Sequence, residues 1–332
     1  MVIVMDLSTN YLGFKLSNPI IVGSCGYTFS VKDIKNLVEN GASAIVLKSI
    51  FEEEIVWEME TNLAQMQRPM TIYPEMYDYF DLDTIEDSVT KYLNLITEAK
   101  KEVNVPIIAS VNCVSAHEWV PFARRIESAG ADALELNIFI MPSDLNKTSQ
   151  ENEQTYFDII NAVLSEVNIP VAVKLSYYFT NLAAMIKKIS ETGVKGIVLF
   201  NRFFEPDFDL DSLTVVPTNV LSNPSDLGKS LRWIAIMSER VSCDLCASTG
   251  VHDGKAAIKQ ILAGAKAVQI ASVLYKKGPK VIKEMLDEMK QWMEEKGFST
   301  IDDFRGRMSQ SRSLNPAVYE RAQFMHYFSE KF

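Results

Sequence analysis

Two lysines, three side-chain amides and several small residues recur in this chain at one kind of place, the end of a short apolar run. Lys48 and Ser49 follow Ala44-Ile-Val-Leu47, Asn112 follows Ile107-Ile-Ala-Ser-Val111, and Asn137 follows Ala133-Leu-Glu-Leu136. Lys174 closes Val171-Ala-Val-Lys174, and Asn201 and Arg202 follow Gly196-Ile-Val-Leu-Phe200. Ser24 stands in Gly23-Ser24-Cys25-Gly26 after Pro19-Ile-Ile-Val22; Thr249-Gly250 and Ala271-Ser272 follow two further runs. An ammonium beside a heterocycle stabilises negative charge on it, and amides offer donors and acceptors to ring carbonyls and nitrogens. Small-residue turns ahead of a helix present backbone N–H groups to a phosphate. Each residue alone has a plainer explanation: a strand-end lysine can snorkel and small residues make tight turns. The set means more than its members only if the fold brings the strand ends together.

The stretch Leu245 to Tyr275 shows how it does so. An apolar run enters Ser248-Thr249-Gly250-Val251, and Asp253-Gly254 opens a helix with Ile258, Ile261 and Leu262 on one face. A second run, Ala267-Val268-Gln269-Ile270, ends in Ala271-Ser272. Seen along the whole chain, eight such runs alternate with helices, several of which stop at a glycine (Gly41, Gly130, Gly193, Gly264). Eight units with no break in composition predict an α/β fold, one closed (β/α)8 TIM barrel over residues 1–332. Residues 1–18 read as a hairpin covering one end, and segment 50–95 as an inserted loop at the C-terminal face, with an aromatic cluster at Tyr77, Tyr79 and Phe80. Further helices are expected over Tyr156–Val167, Asn181–Glu191, Ser230–Arg240 and Lys280–Glu295. No GxGxxG follows the first strand, which argues against a dinucleotide fold. In a barrel the loops after the strands share one face. The lysines and amides would then meet a phosphate site at 245–275, the pattern of a flavin mononucleotide (FMN) site; a sugar phosphate is the competing fit.

Composition narrows the partners. The formal net charge is −10 over 332 residues, with 47% hydrophobic and 23% charged residues and no basic stripe carrying aromatics. Nucleic acid and anionic membrane surfaces are therefore not expected partners, whereas a small-molecule substrate and an electron acceptor are. No leader and no uncharged window of membrane-spanning length is evident, so the cytoplasm is the expected compartment. Of the four cysteines, Cys243 and Cys246 have CxxC spacing but lead into a strand, and no nearby histidine completes a metal cluster. No metal is expected.

Over nearly its whole length the chain resembles the class 1 dihydroorotate dehydrogenase family. The matching pieces occur in order: Asn18-Pro19 leading into Gly23-Ser24-Cys25-Gly26, Val46-Leu-Lys-Ser49, and Gly130-Ala-Asp-Ala-Leu-Glu-Leu-Asn137. Val173-Lys174-Leu175, Thr249-Gly250-Val251, Ala263-Gly-Ala-Lys-Ala-Val-Gln-Ile270 and the ending Gly297 to Gly306 follow. The resemblance implies an FMN-binding barrel, commonly a homodimer, that oxidises dihydroorotate to orotate in pyrimidine biosynthesis and passes the electrons to a second acceptor. It implies that Lys48 and Lys174 contact the flavin ring, Lys48 lying also near substrate, and that Ser24 lines the ring. Asn137 and Asn201 would lie between flavin and substrate, with Ser49 and Asn112 in the cofactor shell. Thr249-Gly250 and Ala271-Ser272 would hold the phosphate.

Departures from the family pattern cluster at the substrate side. Where members continue Glu-Leu-Asn with a Ser-Cys-Pro-Asn-like segment whose Cys or Ser takes a substrate proton, this chain reads Asn137-Ile-Phe-Ile-Met141-Pro142-Ser143-Asp144. Ile and Met accept no proton; Ser143 is the catalytic candidate if the loop shifts register. A Leu-Pro-Asn segment that holds the substrate carboxylate region becomes Tyr73-Pro74-Glu75, placing Glu75 where it would repel an anion. Arg202 replaces the usual serine after the sixth-strand Asn, and Leu221-Ser-Asn-Pro224 replaces a Gly-rich loop. These changes predict firmer retention of FMN binding than of dihydroorotate turnover. A relative acting on another reduced cyclic amide, a flavoprotein without catalysis, and a flavin-free phosphate-binding barrel are the alternatives.

Overall fold

The computed structural model describes residues 5–57, 88–116, 119–203, 205–218 and 220–320. After a hairpin of β1 (Thr9–Tyr11) and β2 (Phe14–Leu16), the chain builds β3 (Ile20–Val22), β4 (Ile45–Val46), the short β5 (Ile50–Phe51) and β6 (Ile107–Cys113). It continues with β7 (Ala133–Ile138), β8 (Val171–Leu175), β9 (Gly196–Leu199), an antiparallel pair β10 (Pro206–Asp209) and β11 (Thr214–Pro217), then β12 (Asp244–Ser248) and β13 (Ala267–Ile270). Eight of these are parallel neighbours in the order β3, β4, β6, β7, β8, β9, β12, β13, and β13 pairs back to β3. The sheet closes on itself, so the chain is a (β/α)8 barrel. All eight expected strands are present.

Helices α1 (Val31–Glu39), α2 (Ser88–Glu102), α3 (Phe122–Ser128), α4 (Ser149–Glu166), α5 (Leu182–Ser190), α6 (Leu227–Met237), α7 (Gly254–Ala263), α8 (Ser272–Lys277) and α9 (Val281–Lys296) follow the strands. Their apolar faces and the outward strand residues share one core that includes Ile34, Ile96, Ile126, Ile160, Ile186, Ile258 and Ile282. Inside the barrel lies a second, smaller apolar layer: Ile21, Ala44, Val46, Ile108, Ala133, Ala172, Val198, Cys246 and Ala267. Successive strand residues face opposite sides, so the next inward positions toward the C-terminal face are polar in several strands: Ser110, Glu135, Lys174 and Gln269. The hairpin caps the opposite end. Tyr11, Leu12 and Leu16 are buried against the inner layer, and the Leu12 N–H donates to Asp244 Oδ2 at 2.9 Å.

Several boundaries differ from expectation for visible reasons. Helix α4 begins at Ser149, because a capping box joins Thr148 to Glu151; its first turns are solvated and carry no apolar periodicity. Helix α6 begins at Leu227 rather than Ser230, and the loop before it holds β10 and β11. Nearly every residue of that pair is exposed, which leaves no alternation to read. Residues 52–57 are helical; Glu75 and the aromatic cluster at Tyr77, Tyr79 and Phe80 lie outside the described residues. Among the described residues no helix is long and apolar enough to cross a membrane.

The start of α7 offers a simple test of local stability. Asp253 has extended backbone, and its carboxylate accepts the Ala256 N–H at 2.7 Å, satisfying one N–H that the first turn leaves free. Asp253→Ala is expected to destabilise the protein by about 1 kcal/mol, seen as a lower midpoint in denaturant titration.

Candidate active site

A cavity of about 590 Å³ opens at the C-terminal end of the barrel, within the size range of small-molecule and cofactor sites. Ser24, Lys174, Asn201, Arg202, Thr249, Gly250, Ala271 and Ser272 all line it, so strands β3, β8, β9, β12 and β13 deliver their terminal residues to one place. Lys48, Ser49, Asn112 and Asn137 stand outside that lining. Ser49 is tied to it: its N–H donates to Ser24 Oγ at 2.9 Å, and its hydroxyl meets Ser110 Oγ at 2.8 Å. Asn137 accepts from Asn201 Nδ2 at 2.7 Å, and Asn112 is in register with Asn137. Lys48 is exposed, with Nζ 4.9 Å from the centre of the Phe29 ring.

At the floor the Lys174 ammonium is buried and donates to Gln269 Oε1 at 2.9 Å, 3.5 Å from Glu135 Oε1. Gln269 in turn donates through Nε2 to the other Glu135 oxygen. Glu135 and Gln269 both lie in pieces that carry the family resemblance, but no role attaches to either there. The available signal is a polar side chain at an inward position of an otherwise apolar strand.

At the other end the backbone forms a cradle. Thr249 and Gly250 both have left-handed φ, +73° and +80°. A Cβ on Gly250 would sit 2.2 Å from Leu227 N. The Gly250 N–H points toward Ser222 Oγ at 3.4 Å, a long contact that a better acceptor could replace. Ser222 N–H donates to Ser272 Oγ at 3.0 Å, and Lys276 Nζ donates to Ser222 O at 2.7 Å. Small polar groups and backbone N–H thus surround one end of the cavity, with Lys276 held behind Ser222, while the Lys174 ammonium sits at the other. That donor set fits a ring at the floor and a phosphate at the cradle.

Comparison with known proteins agrees with this architecture. The family model described as dihydroorotate dehydrogenase matches residues 6–293. The chain belongs to the dihydroorotate dehydrogenase family. It is 29% identical over 320 residues to the Thermoplasma volcanium protein named dihydroorotate dehydrogenase B (NAD(+)), catalytic subunit, covering 91% of this chain and 98% of that one. A Methanocaldococcus jannaschii protein of the same name is 28% identical over 313 residues, covering 90% of this chain and 97% of that one. Dihydroorotate dehydrogenases are oxidoreductases, and this chain is an oxidoreductase of that family.

The segment after β7 is the one that the sequence marks as departing from the family pattern. Phe139 stacks on Phe203, centroids 3.9 Å apart with the planes at 20°, and Tyr178 stands 6.3 Å from Phe139. Strands β7, β8 and β9 therefore put aromatic rings just beyond Asn137, Ser176 and Asn201. Ser143 is exposed, its N–H donating to Met141 O at 2.8 Å, and it does not line the cavity. Burial pushes the Cys25 thiol up at the cavity wall, and burial also pushes Cys113 well up. Cys243 and Cys246 are free thiols; burial raises both, Cys243 to about 12. Among the described residues no group of three or more His, Cys, Asp or Glu could hold a metal ion.

His252, buried behind the cradle, contacts Ser222 Oγ through Nε2 at 3.0 Å. Burial first, and then the Lys276 charge, lower its pKa from the ordinary 6.5. A histidine whose pKa is depressed on folding stabilises the fold while neutral in both states. That contribution is present above about pH 6.5 and is lost as pH falls through this value toward the folded-state pKa. His252→Gln is expected to flatten the loss of thermal stability between about pH 7 and 5, measured by melting curves across that range.

Proposed function

We propose that this chain is an FMN-dependent CH–CH oxidoreductase, with dihydroorotate oxidation in pyrimidine biosynthesis as its nominal reaction and another reduced cyclic amide as its better substrate. The observation that carries the reading is one cavity lined by both Lys174 and the Gly250 cradle. Bound FMN supplies a two-electron acceptor that the side chains of a protein lack. Lys174 holds a positive charge at the floor, where negative charge on a reduced ring is stabilised. Ser24 and Asn201 offer hydroxyl and amide groups along the wall. The Gly250 N–H, Ser222 and Ser272 orient a phosphate, and the Lys276 charge stands behind them through Ser222 O.

Asn137 and Asn201, joined to each other, present the amide edge to a substrate lying over the ring. Phe203, which lines the cavity and on which Phe139 stacks, then forms an apolar wall on the side where the family carries its proton-accepting side chain. Such a wall favours a neutral ring over a carboxylate-bearing one. Reoxidation falls to a separate electron acceptor, either soluble or reached through a second subunit, and the same reading makes the chain a cytoplasmic homodimer.

Absorbance of the purified full chain tests the cofactor directly. A yellow protein that releases FMN on heating, or binds added FMN one to one, is expected. A colourless protein that quenches no flavin fluorescence overturns the reading.

A further inference from the structure

Beneath the proposed ring site, the barrel interior carries a buried ion pair of which the chemistry so far uses only the Lys174 ammonium. Glu135 projects inward from β7, Lys174 from β8 and Gln269 from β13, directly above the apolar layer formed by Ala133, Ala172 and Ala267. Glu135 is 1% exposed, and its Oε1 accepts no hydrogen bond although Lys174 Nζ is 3.5 Å away. Gln269 is fully engaged instead: Oε1 accepts from Lys174 at 2.9 Å while Nε2 donates to Glu135 Oε2. The amide therefore relays between two charges that do not themselves meet in a hydrogen bond. A buried carboxylate and ammonium are costly to desolvate and are a poor way to gain stability. Apolar residues would fill the same space at less cost, so the pair calls for another explanation.

Among the described residues, the neighbouring thiols and phenols do not supply a second charge. Cys25 and Cys246, which feel Lys174, and Tyr11 and Tyr92, which feel Glu135, are all pushed up by burial and stay neutral. Glu135 is thus, among the described residues, the anion that faces Lys174 inside this part of the barrel. It sits on the side away from the cavity, where it both anchors the ammonium through Gln269 and offsets part of its charge.

Resting on the flavin reading above, we propose that Glu135, acting through Gln269, is a positioning residue for Lys174. It holds the ammonium at the cavity floor and limits how much of the positive charge reaches the ring, and so sets the balance between oxidised and reduced flavin. The carboxylate does not touch substrate or cofactor.

The experiment is a double-mutant cycle read on the flavin midpoint potential of the reconstituted full chain. Lys174→Met is expected to lower the potential. Glu135→Gln leaves the ammonium uncompensated and is expected to raise it, by about a tenfold gain in the preference for reduced over oxidised FMN. In the Lys174→Met background a lone buried carboxylate neutralises, so adding Glu135→Gln is expected to leave the potential unchanged. A Glu135→Gln shift of equal size in both backgrounds, or no shift in the wild-type background, overturns the proposal. Thermal unfolding of the flavin-free variants separates this from failure of the flavin reading. Lys174→Met is expected to destabilise the apoprotein and the double variant to recover most of that loss. If no variant takes up FMN, the functional reading fails, and additive melting shifts would then show that Glu135 does not act on Lys174 at all.

Discussion

Gly250→Ala is expected to cost about 2–6 kcal/mol of stability and to abolish uptake of a phosphate-bearing cofactor. Two independent costs add. At φ +80° an L side chain is strained whatever the space around it. There is also no space: the new Cβ would lie 2.2 Å from Leu227 N and 2.7 Å from both Asp226 C and Leu227 Cα. Those atoms are the entrance to α6 and cannot retreat freely. The Asp226 carboxylate accepts from Arg202 Nη1 at 3.0 Å and from Asn223 N at 2.9 Å, and Lys276 holds the same loop through Ser222 O. Either the helix entrance moves and those bonds break, or the Thr249-Gly250 turn moves and the cradle opens. Melting curves together with flavin titration would read both consequences. Gly228→Ala, in the first turn of the same helix with nothing within 4 Å of the new Cβ, is the control; it is expected to be neutral or to stabilise by up to about 1 kcal/mol. Equal behaviour of the two variants would show that the close approach at Gly250 is not what shapes the cradle.

That contrast shows which features can be read from sequence and which cannot. The barrel is legible because each strand repeats an apolar run, a polar end and a glycine-terminated helix, and eight repeats leave little choice of architecture. The strand-end residues Ser24, Lys174, Asn201, Gly250 and Ser272 are legible for the same reason: closing the sheet puts strand ends together. What touches what is another matter. Gln269 reaches Lys174 across 95 positions of sequence, and no local pattern marks either residue as the other's partner. Ser222 enters the cradle from a loop whose only local cue, Leu221-Ser-Asn-Pro224, reads as a turn. The direction of a long side chain is equally hidden: Lys48 has the right place on the barrel but is exposed, with its ammonium over Phe29. Stacking of Phe139 on Phe203 depends on how two loops leave β7 and β9, which spacing does not specify.

On the proposed function, the segment that carries Phe139 of this stacked pair also bears on the reductive chemistry. Mixed anaerobically with dihydroorotate, the FMN-loaded protein is expected to bleach about 10²–10⁴-fold more slowly than a family member with a cysteine or serine after β7. Oxidising the substrate's carbon–carbon single bond removes a hydride and a proton, and the proton needs an acceptor in reach. Ile138, Phe139, Ile140, Met141 and Pro142 supply none. Ser143 is exposed and outside the cavity lining, and Asp144 is exposed with Oδ1 accepting the Asn146 N–H at 2.9 Å. Three other nearby groups among the described residues are held in the wrong state. Burial raises the Tyr156, Tyr178 and Cys25 pKa values, leaving each protonated near neutral pH and a weak proton acceptor. Ser143→Ala is therefore expected to leave the residual bleaching rate unchanged within about twofold; a collapse of that rate would instead place Ser143 over the ring as the base. A neutral dihydropyrimidine or lactam, which an apolar wall of Phe139 and Phe203 does not penalise, is expected to bleach the flavin faster than dihydroorotate does. Should dihydroorotate prove the fastest of such a panel, the aromatic wall does not select the substrate, and the proton must leave by a group on the far side of the cavity.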